Sequence, residues 1–228
     1  MNLFWNVFCY KIGVRMKEDI QFLFDVFFDE LDDLDRNSRT VLIEYLTKRD
    51  DVLSHSKKVT YYALKIFEAF EKQDKIFENK KEDLFLASLF HDIGKLQIPT
   101  EILEKPGKLT KEEFDIMKKH AEFSVDILRK FSLFHHILPF ITYHHERYDG
   151  RGYPYGLSGE EIPLISRIMA VADSFDAMTT DRVYSRAHDA DYAIQELKDN
   201  KGTQFDSNVV DAFVELFEKE KIVVGWIF

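Results

Sequence analysis

What most constrains this chain is the spacing at which its apolar residues recur. Ile20, Leu23, Phe24, Phe27, Phe28 and Leu31 return at intervals of three and four. The same period runs through about 39–48, 54–71, 80–91, 110–131, 133–146, 159–180, 188–199 and 206–220. That is the repeat of a helix with one buried face, and no convincing train of alternating strands interrupts it. The chain therefore reads as an all-α protein. Proline and glycine fall between the periodic segments, at Pro99, at Pro106-Gly107 and across Asp149-Gly150-Arg151-Gly152-Tyr153-Pro154. Thr110-Lys111-Glu112-Glu113 has the form of a capping box opening a helix. The loop over about 147–158 follows directly on His144-His145-Glu146. Loops of that length inside compact domains often carry function, so this one is a candidate lid or ligand floor.

Charge narrows the function classes. Lys and Arg total 31 against 41 Asp and Glu, a formal net charge of −10, which argues against binding to a DNA or RNA duplex through its phosphates. An anionic substrate would need a local positive centre. The 228 residues, 45% of them hydrophobic, are enough for one large domain or one domain with an extension. Cys9 is the sole cysteine, which excludes an internal disulfide and a thiolate zinc cluster and fits a reducing, cytoplasmic compartment. The opening residues place an apolar run before the basic ones, the reverse of a secretory signal, and no stretch approaches the roughly 20 apolar residues of a membrane span. The apolar end Ile222-Val223-Val224-Gly225-Trp226-Ile227-Phe228 is expected to pack on the core in preference to forming an oligomer contact.

Imidazoles and carboxylates recur at the ends and on the faces of these segments. His91-Asp92 closes the apolar run Leu84 to Phe90, His55 begins another segment with Asp51 four residues earlier, and His120 ends Met117-Lys118-Lys119-His120. Asp173 lies in an otherwise apolar helix, where a carboxylate is costly unless paired or metal-bound. His135-His136 has no motif around it and reads as ordinary helix surface. Ligands of this kind without cysteine suit Fe, Mn or Zn in an open, catalytic site. One carboxylate can bridge two ions, and on a helix His144 and His145 would point about 100° apart and serve different ions. The pattern favours a multinuclear centre.

With these motifs in place the chain strongly resembles the HD-GYP family, the cyclic di-GMP phosphodiesterase branch of the HD superfamily. The resemblance covers about 51–220 and rests on His55-Ser56, His91-Asp92-Ile93-Gly94-Lys95, Lys105-Pro106-Gly107-Lys108-Leu109-Thr110, His120, His144-His145-Glu146, the Asp149 to Pro154 loop, Asp173-Ser174-Phe175-Asp176-Ala177-Met178 and Asp181-Arg182. It implies a helical bundle of the HD type over 51–228, preceded by a helical extension over 1–50 that matches nothing nameable and is a candidate regulatory element. It implies metal ligation by His55, His91, Asp92, His120, His144, His145 and Asp173, with Asp92 bridging. Asp51 stands where three-metal members carry an acid, so two and three divalent ions, Fe or Mn, both remain open. Lys95 would face the cavity to stabilise the transition state or protonate the leaving oxygen. Gly152, Tyr153 and Pro154 would shape the substrate wall, Arg182 would fork onto phosphate, and Asp176 would hold a guanine edge or support a ligand. Members often have a basic residue right after the tyrosine of Asp-Arg-x-Tyr, whereas here Ser185 follows Tyr184 and Arg186 comes next. The activity implied is hydrolysis of cyclic di-GMP to linear pGpG in bacterial second-messenger signalling, with pGpG and GMP both open as the final product. The alternatives are a catalytically weak cyclic di-GMP sensor or docking module, and an oxygen-handling di-iron enzyme, for which the Gly-Tyr-Pro loop gives no motive. A homodimer or a signalling protein is the further partner to expect.

Overall fold

The computed structural model describes residues 44–45, 50–71, 80–181, 186–219 and 222, with only the backbone of Asp50, Asp51 and Glu71. Helices dominate among the described residues: α1 (Asp50–Glu71), α2 (Lys81–Phe90), α3 (Thr100–Leu103), α4 (Lys111–Met117), α5 (His120–Leu128), α6 (Leu138–Thr142), α7 (Leu164–Thr179), α8 (Ala190–Asp199) and α9 (Ser207–Glu218). Strand pairing among them is limited to the isolated bridges Asp149–Ser158 and Lys201–Phe205. The all-α expectation holds. The expected segments over 20–31 and 39–48, and the apolar end after Ile222, fall largely outside the described residues.

α1 is the organising element, packed against α2, α7 and α9. Its stripe Val52, Val59, Tyr62, Ala63, Ile66 and Phe67 is buried because it repeats with the helical period. Edge-to-face ring pairs knit the core, Tyr62 with Phe175 at 5.1 Å, Phe175 with Phe213 at 4.8 Å and Phe90 with Phe134 at 5.1 Å. Each such buried ring contributes about 1.5–3 kcal/mol through area alone. Tyr45, from the stretch expected as an extension, is wholly buried and donates to the Leu89 carbonyl at 2.8 Å. Ile222 is buried in the same core.

Three segments are more broken than the periodicity predicts. The run 110–131 divides at Lys118-Lys119 into α4 and α5, and the expected capping box is formed at Thr110 and Glu113. The run 133–146 becomes a tight 3-10 turn (Ser132–Ile137) followed by α6, which starts with Pro139 in its first turn and stops at Thr142. The run 159–180 opens with a 3-10 turn (Gly159–Glu161), and α7 starts only after Pro163, since proline favours the first turn and breaks what precedes it. These breaks set helix ends beside the site.

Candidate metal centre

His91 and Asp92 lie just past the C-terminus of α2, His120 is the first residue of α5, and His144 and His145 lie in the turn after α6. The two adjacent histidines are thus not on a helix, which corrects the helical geometry expected for them. Three of these rings are anchored in one way. His91 Nδ1 meets the Ser88 carbonyl at 2.7 Å, His120 Nδ1 the Met117 carbonyl at 2.7 Å, and His144 Nδ1 the Ile141 carbonyl at 2.6 Å. A carbonyl only accepts, so each Nδ1 donates, and the Nε2 lone pair is left free to ligate. Those carbonyls are free because the last turn of a helix leaves them without intrahelical donors.

The ring nitrogens converge on Asp92, which is 1% exposed. Its Oδ2 lies 3.3 Å from His91 Nε2 and 3.5 Å from His55 Nε2, while Oδ1 lies 3.4 Å from His120 Nε2. The two oxygens of one carboxylate thus face two groups, His55 with His91 on one side and His120 with His144 and His145 on the other. Asp173 Oδ1 stands 3.0 Å from His55 Nε2, and His145 Nε2 lies 2.9 Å from His120 Nε2. Lys95 Nζ bonds Asp92 Oδ2. Among the described residues the Nε2 atoms of His91 and His144 are buried with no hydrogen-bond partner, a costly condition that a bound cation would relieve. The donor set fits divalent ions of the nitrogen- and oxygen-preferring kind.

Electrostatics agree with ligation. Burial, joined by the His91 and His120 rings, lowers His144 to about 3, and burial with the neighbouring histidines lowers His145 well below the usual imidazole range. Burial also outweighs the pull of Asp92 on His120, which is lowered. These rings are neutral at pH 7, the form that binds metal. Burial would raise Asp92 and Asp173, but His91 and Lys95 at Asp92, and His55 at Asp173, overcome it and hold both carboxyls well below their ordinary value. At His55 burial opposes protonation, yet Asp173 and Asp176 prevail and its pKa is raised.

The loop after the histidine pair is a firm floor. Gly152 packs so closely that an added Cβ would lie 2.3 Å from the Arg147 nitrogen, which explains the glycine. Asp149, lowered to about 2 chiefly by Arg147, joins the loop to that guanidinium, and the Tyr148 and Asp149 amides donate to Gln204 and Thr203. Tyr153 stacks on His145 with ring centroids 4.8 Å apart, and with Pro154 and Tyr155 it walls a groove of about 450 Å³ that also takes in Lys118, Lys119 and Arg129. The Tyr153 hydroxyl is pushed up by burial and the nearby Asp173 and Asp92.

The structure brings together every expected ligand except Asp51, whose side chain lies outside the described residues. Arg182, Tyr184 and Ser185 lie outside them too. Asp176 has no exposed surface, and its oxygens face His55, Thr180 and Lys58, an arrangement that leaves no face open to a guanine edge. Lys58, Ser124 and Glu146 were given no role by the sequence. Ser124 accepts from the Gly94 amide and donates to the His91 carbonyl, where a Cβ on Gly94 would lie 2.1 Å from the His120 carbonyl. Glu146 Oε1 receives the Tyr155 and Gly156 amides. Only the position of Lys58, one turn after His55, and of Glu146, directly after the histidine pair, signalled them.

The buried His/Asp centre sits within an all-α bundle, and the chain belongs to the HD domain family, whose model matches residues 35–209. The resemblance to its HD-GYP branch stands on the same motifs. Among similar proteins, the cyclic di-GMP phosphodiesterase response regulator RpfG of Xanthomonas campestris pv. campestris is 45% identical over 131 residues, 57% of this chain and 35% of that protein. The 3'3'-cGAMP-specific phosphodiesterase 2 of Vibrio cholerae is 31% identical over 221 residues, 94% of this chain and 40% of that one. The chain therefore spans well under half the length of these relatives. In fold it is similar to an HDG"Y"P protein from Bdellovibrio bacteriovorus, with a TM-score of 0.57, 16% identity, and 79% of this chain and 61% of that one covered. No helix among the described residues is long and apolar enough to cross a membrane.

Proposed function

We propose that this chain is a metal-dependent phosphodiesterase of cyclic dinucleotides, opening cyclic di-GMP to pGpG and then to GMP in second-messenger signalling. The observation that carries the reading is Asp92, whose two oxygens face two separate groups of histidines. The ligands would be His55, His91, Asp92 and Asp173 on one side and His120, His144, His145 and Asp92 on the other, for two Fe or Mn ions, with Asp51 available to a third. Bound there, divalent ions would lower the pKa of a water and neutralise the non-bridging phosphate oxygens, supplying the positive centre an acidic chain needs. Lys95, held at Asp92, would add charge stabilisation and hold the proton destined for the leaving ribose oxygen. Tyr153 and Pro154, on the floor made by Gly152, would place a base beside the centre, and Arg182 would take a phosphate. The cytoplasm, a second copy of the chain or a signalling protein would be its setting and partners, with residues 1–50 as the regulatory element.

Relatives named for cyclic di-GMP and for 3'3'-cGAMP make both nucleotides necessary arms of the test. Protein purified without oxygen and loaded with Mn or Fe(II) is expected to release pGpG from cyclic di-GMP faster than it opens 3'3'-cGAMP. Tight binding with neither nucleotide cleaved would replace the hydrolase with a sensor, and faster cleavage of 3'3'-cGAMP would change the substrate.

A further inference from the structure

The four ligand histidines with an anchored Nδ1 are not anchored alike. His91, His120 and His144 each donate to a neutral carbonyl three residues back. His55 lies within α1, where the backbone carbonyls are engaged by the helix itself, and it turns to another element: its Nδ1 meets Asp176 Oδ2 at 2.7 Å. The other oxygen of Asp176 accepts the Thr180 hydroxyl at 3.0 Å and lies 3.7 Å from Lys58 Nζ, and Lys58 in turn donates to Thr180 Oγ1 at 2.8 Å. Asp176 is fully buried, and Lys58 sits on α1 one turn beyond His55. The result is a closed polar unit that ties α1 to the end of α7.

We infer that Asp176, held by Lys58 and Thr180, is a positioning residue that makes the ion on the His55 side of the centre separately tunable from the ion on the His120 side. An anionic acceptor fixes the ring and makes its Nε2 a stronger donor than a neutral carbonyl does, so His55 is the most electron-rich imidazole of the four. Loss of the carboxylate weakens that ligand alone. The backbone-anchored rings have no side chain whose removal could do the same to them. This inference rests on the metal-centre reading above and adds the rule by which the two ions differ.

The test is metal binding to the full chain, measured by calorimetry and elemental analysis with Mn(II), for Asp176→Ala, Asp176→Asn and Lys58→Met beside His136→Ala as a surface control. Asp176→Ala is expected to weaken one ion by about 10- to 100-fold and leave the other unchanged. Asp176→Asn, which keeps an acceptor oxygen without the charge, is expected to recover part of that loss, and Lys58→Met to give a smaller loss of the same sign. In Zn(II)-loaded wild-type protein, which requires no variant to fold, the His55 Hδ1 resonance is expected further downfield than those of His91, His120 and His144. Equal loss at both ions, or no loss, in folded Asp176→Ala overturns the inference and leaves the metal centre standing, as does a His55 Hδ1 no further downfield than the others. Failure of wild-type protein to bind Mn(II) or Zn(II) overturns both.

Discussion

Two pairs of adjacent histidines lie nine positions apart, and the molecule uses them in opposite ways. His135 and His136 sit on the outer side of the 3-10 turn before α6, where His135 Nε2 bonds the Arg129 carbonyl and the half-exposed His136 ring lies 3.1 Å from an Asp83 oxygen. His144 and His145 sit at the other end of α6, with His144 buried, its Nδ1 anchored and its Nε2 without a hydrogen-bond partner among the described residues. A histidine pair carries no chemistry by itself. Both pairs have a helix-end carbonyl and a carboxylate nearby, so what sets the second apart is burial: His144 is 1% exposed and grouped with His120 and His145, as a ligand pair would need, whereas His136 is half exposed.

The comparison breaks most directly by substitution. His144→Ala is expected to lower turnover of cyclic di-GMP by more than the 10–100-fold typical of residues that merely orient a ligand, with loss of bound metal. If elemental analysis and rate are unchanged, the pair has been misread. Gly94→Ala comes next: its Cβ would meet backbone of α5 at the start of the helix that carries His120, and a loss of about 4–5 kcal/mol, or failure to fold, is expected in denaturant titration. A loss under 1 kcal/mol would mean that α5 can shift without harm.

Acid sharpens the contrast. In the unfolded chain His120, His144 and His145 titrate near 6.5, while the fold lowers all three, His144 to about 3. The unfolded state therefore binds more protons below about pH 6.5, and stability falls as the pH drops. Asp92 and Asp173, both lowered, add a loss of the same sign below about pH 4. His55, raised, acts the other way, its contribution complete below about 6.5 and fading above it. Three rings outweigh one, so thermal melts of chelator-treated protein are expected to show stability declining from about pH 6.5 to pH 4, and His135→Ala should leave that slope as it is. A flat profile would contradict the burial of the ligand rings. Two smaller effects follow. Glu146→Ala unpairs two amides and is expected to cost about 1–3 kcal/mol in a denaturant titration. His136→Ala, at a half-exposed polar contact, is expected to cost about 0–1 kcal/mol in the same titration.

The same contrast shows what the sequence made legible. Periodicity reported the helices because burial repeats along each one, and the motifs pointed to side chains that the fold gathers around Asp92, some within helices and some at their ends. Helix ends were less visible: α5 starts after a break at Lys118-Lys119 that no proline or glycine marks, and the pair at 144 and 145 left its helix at Thr142. Asp176 was visible as an acid near the site, but its choice of His55 over a nucleotide depends on how α7 packs against α1. Lys58 and Ser124 escaped notice, and Glu146 was seen only as part of a motif, because their partners come from elsewhere in the chain or from backbone amides.

The central claim is that Asp92 is shared by two ions. Low-temperature electron paramagnetic resonance of Mn(II)-loaded protein tests it: the account predicts at least two ions per chain and a spin-coupled pair whose coupling disappears in Asp92→Asn. A single isolated Mn(II) signal at one ion per chain, or coupling that survives that substitution, would contradict it.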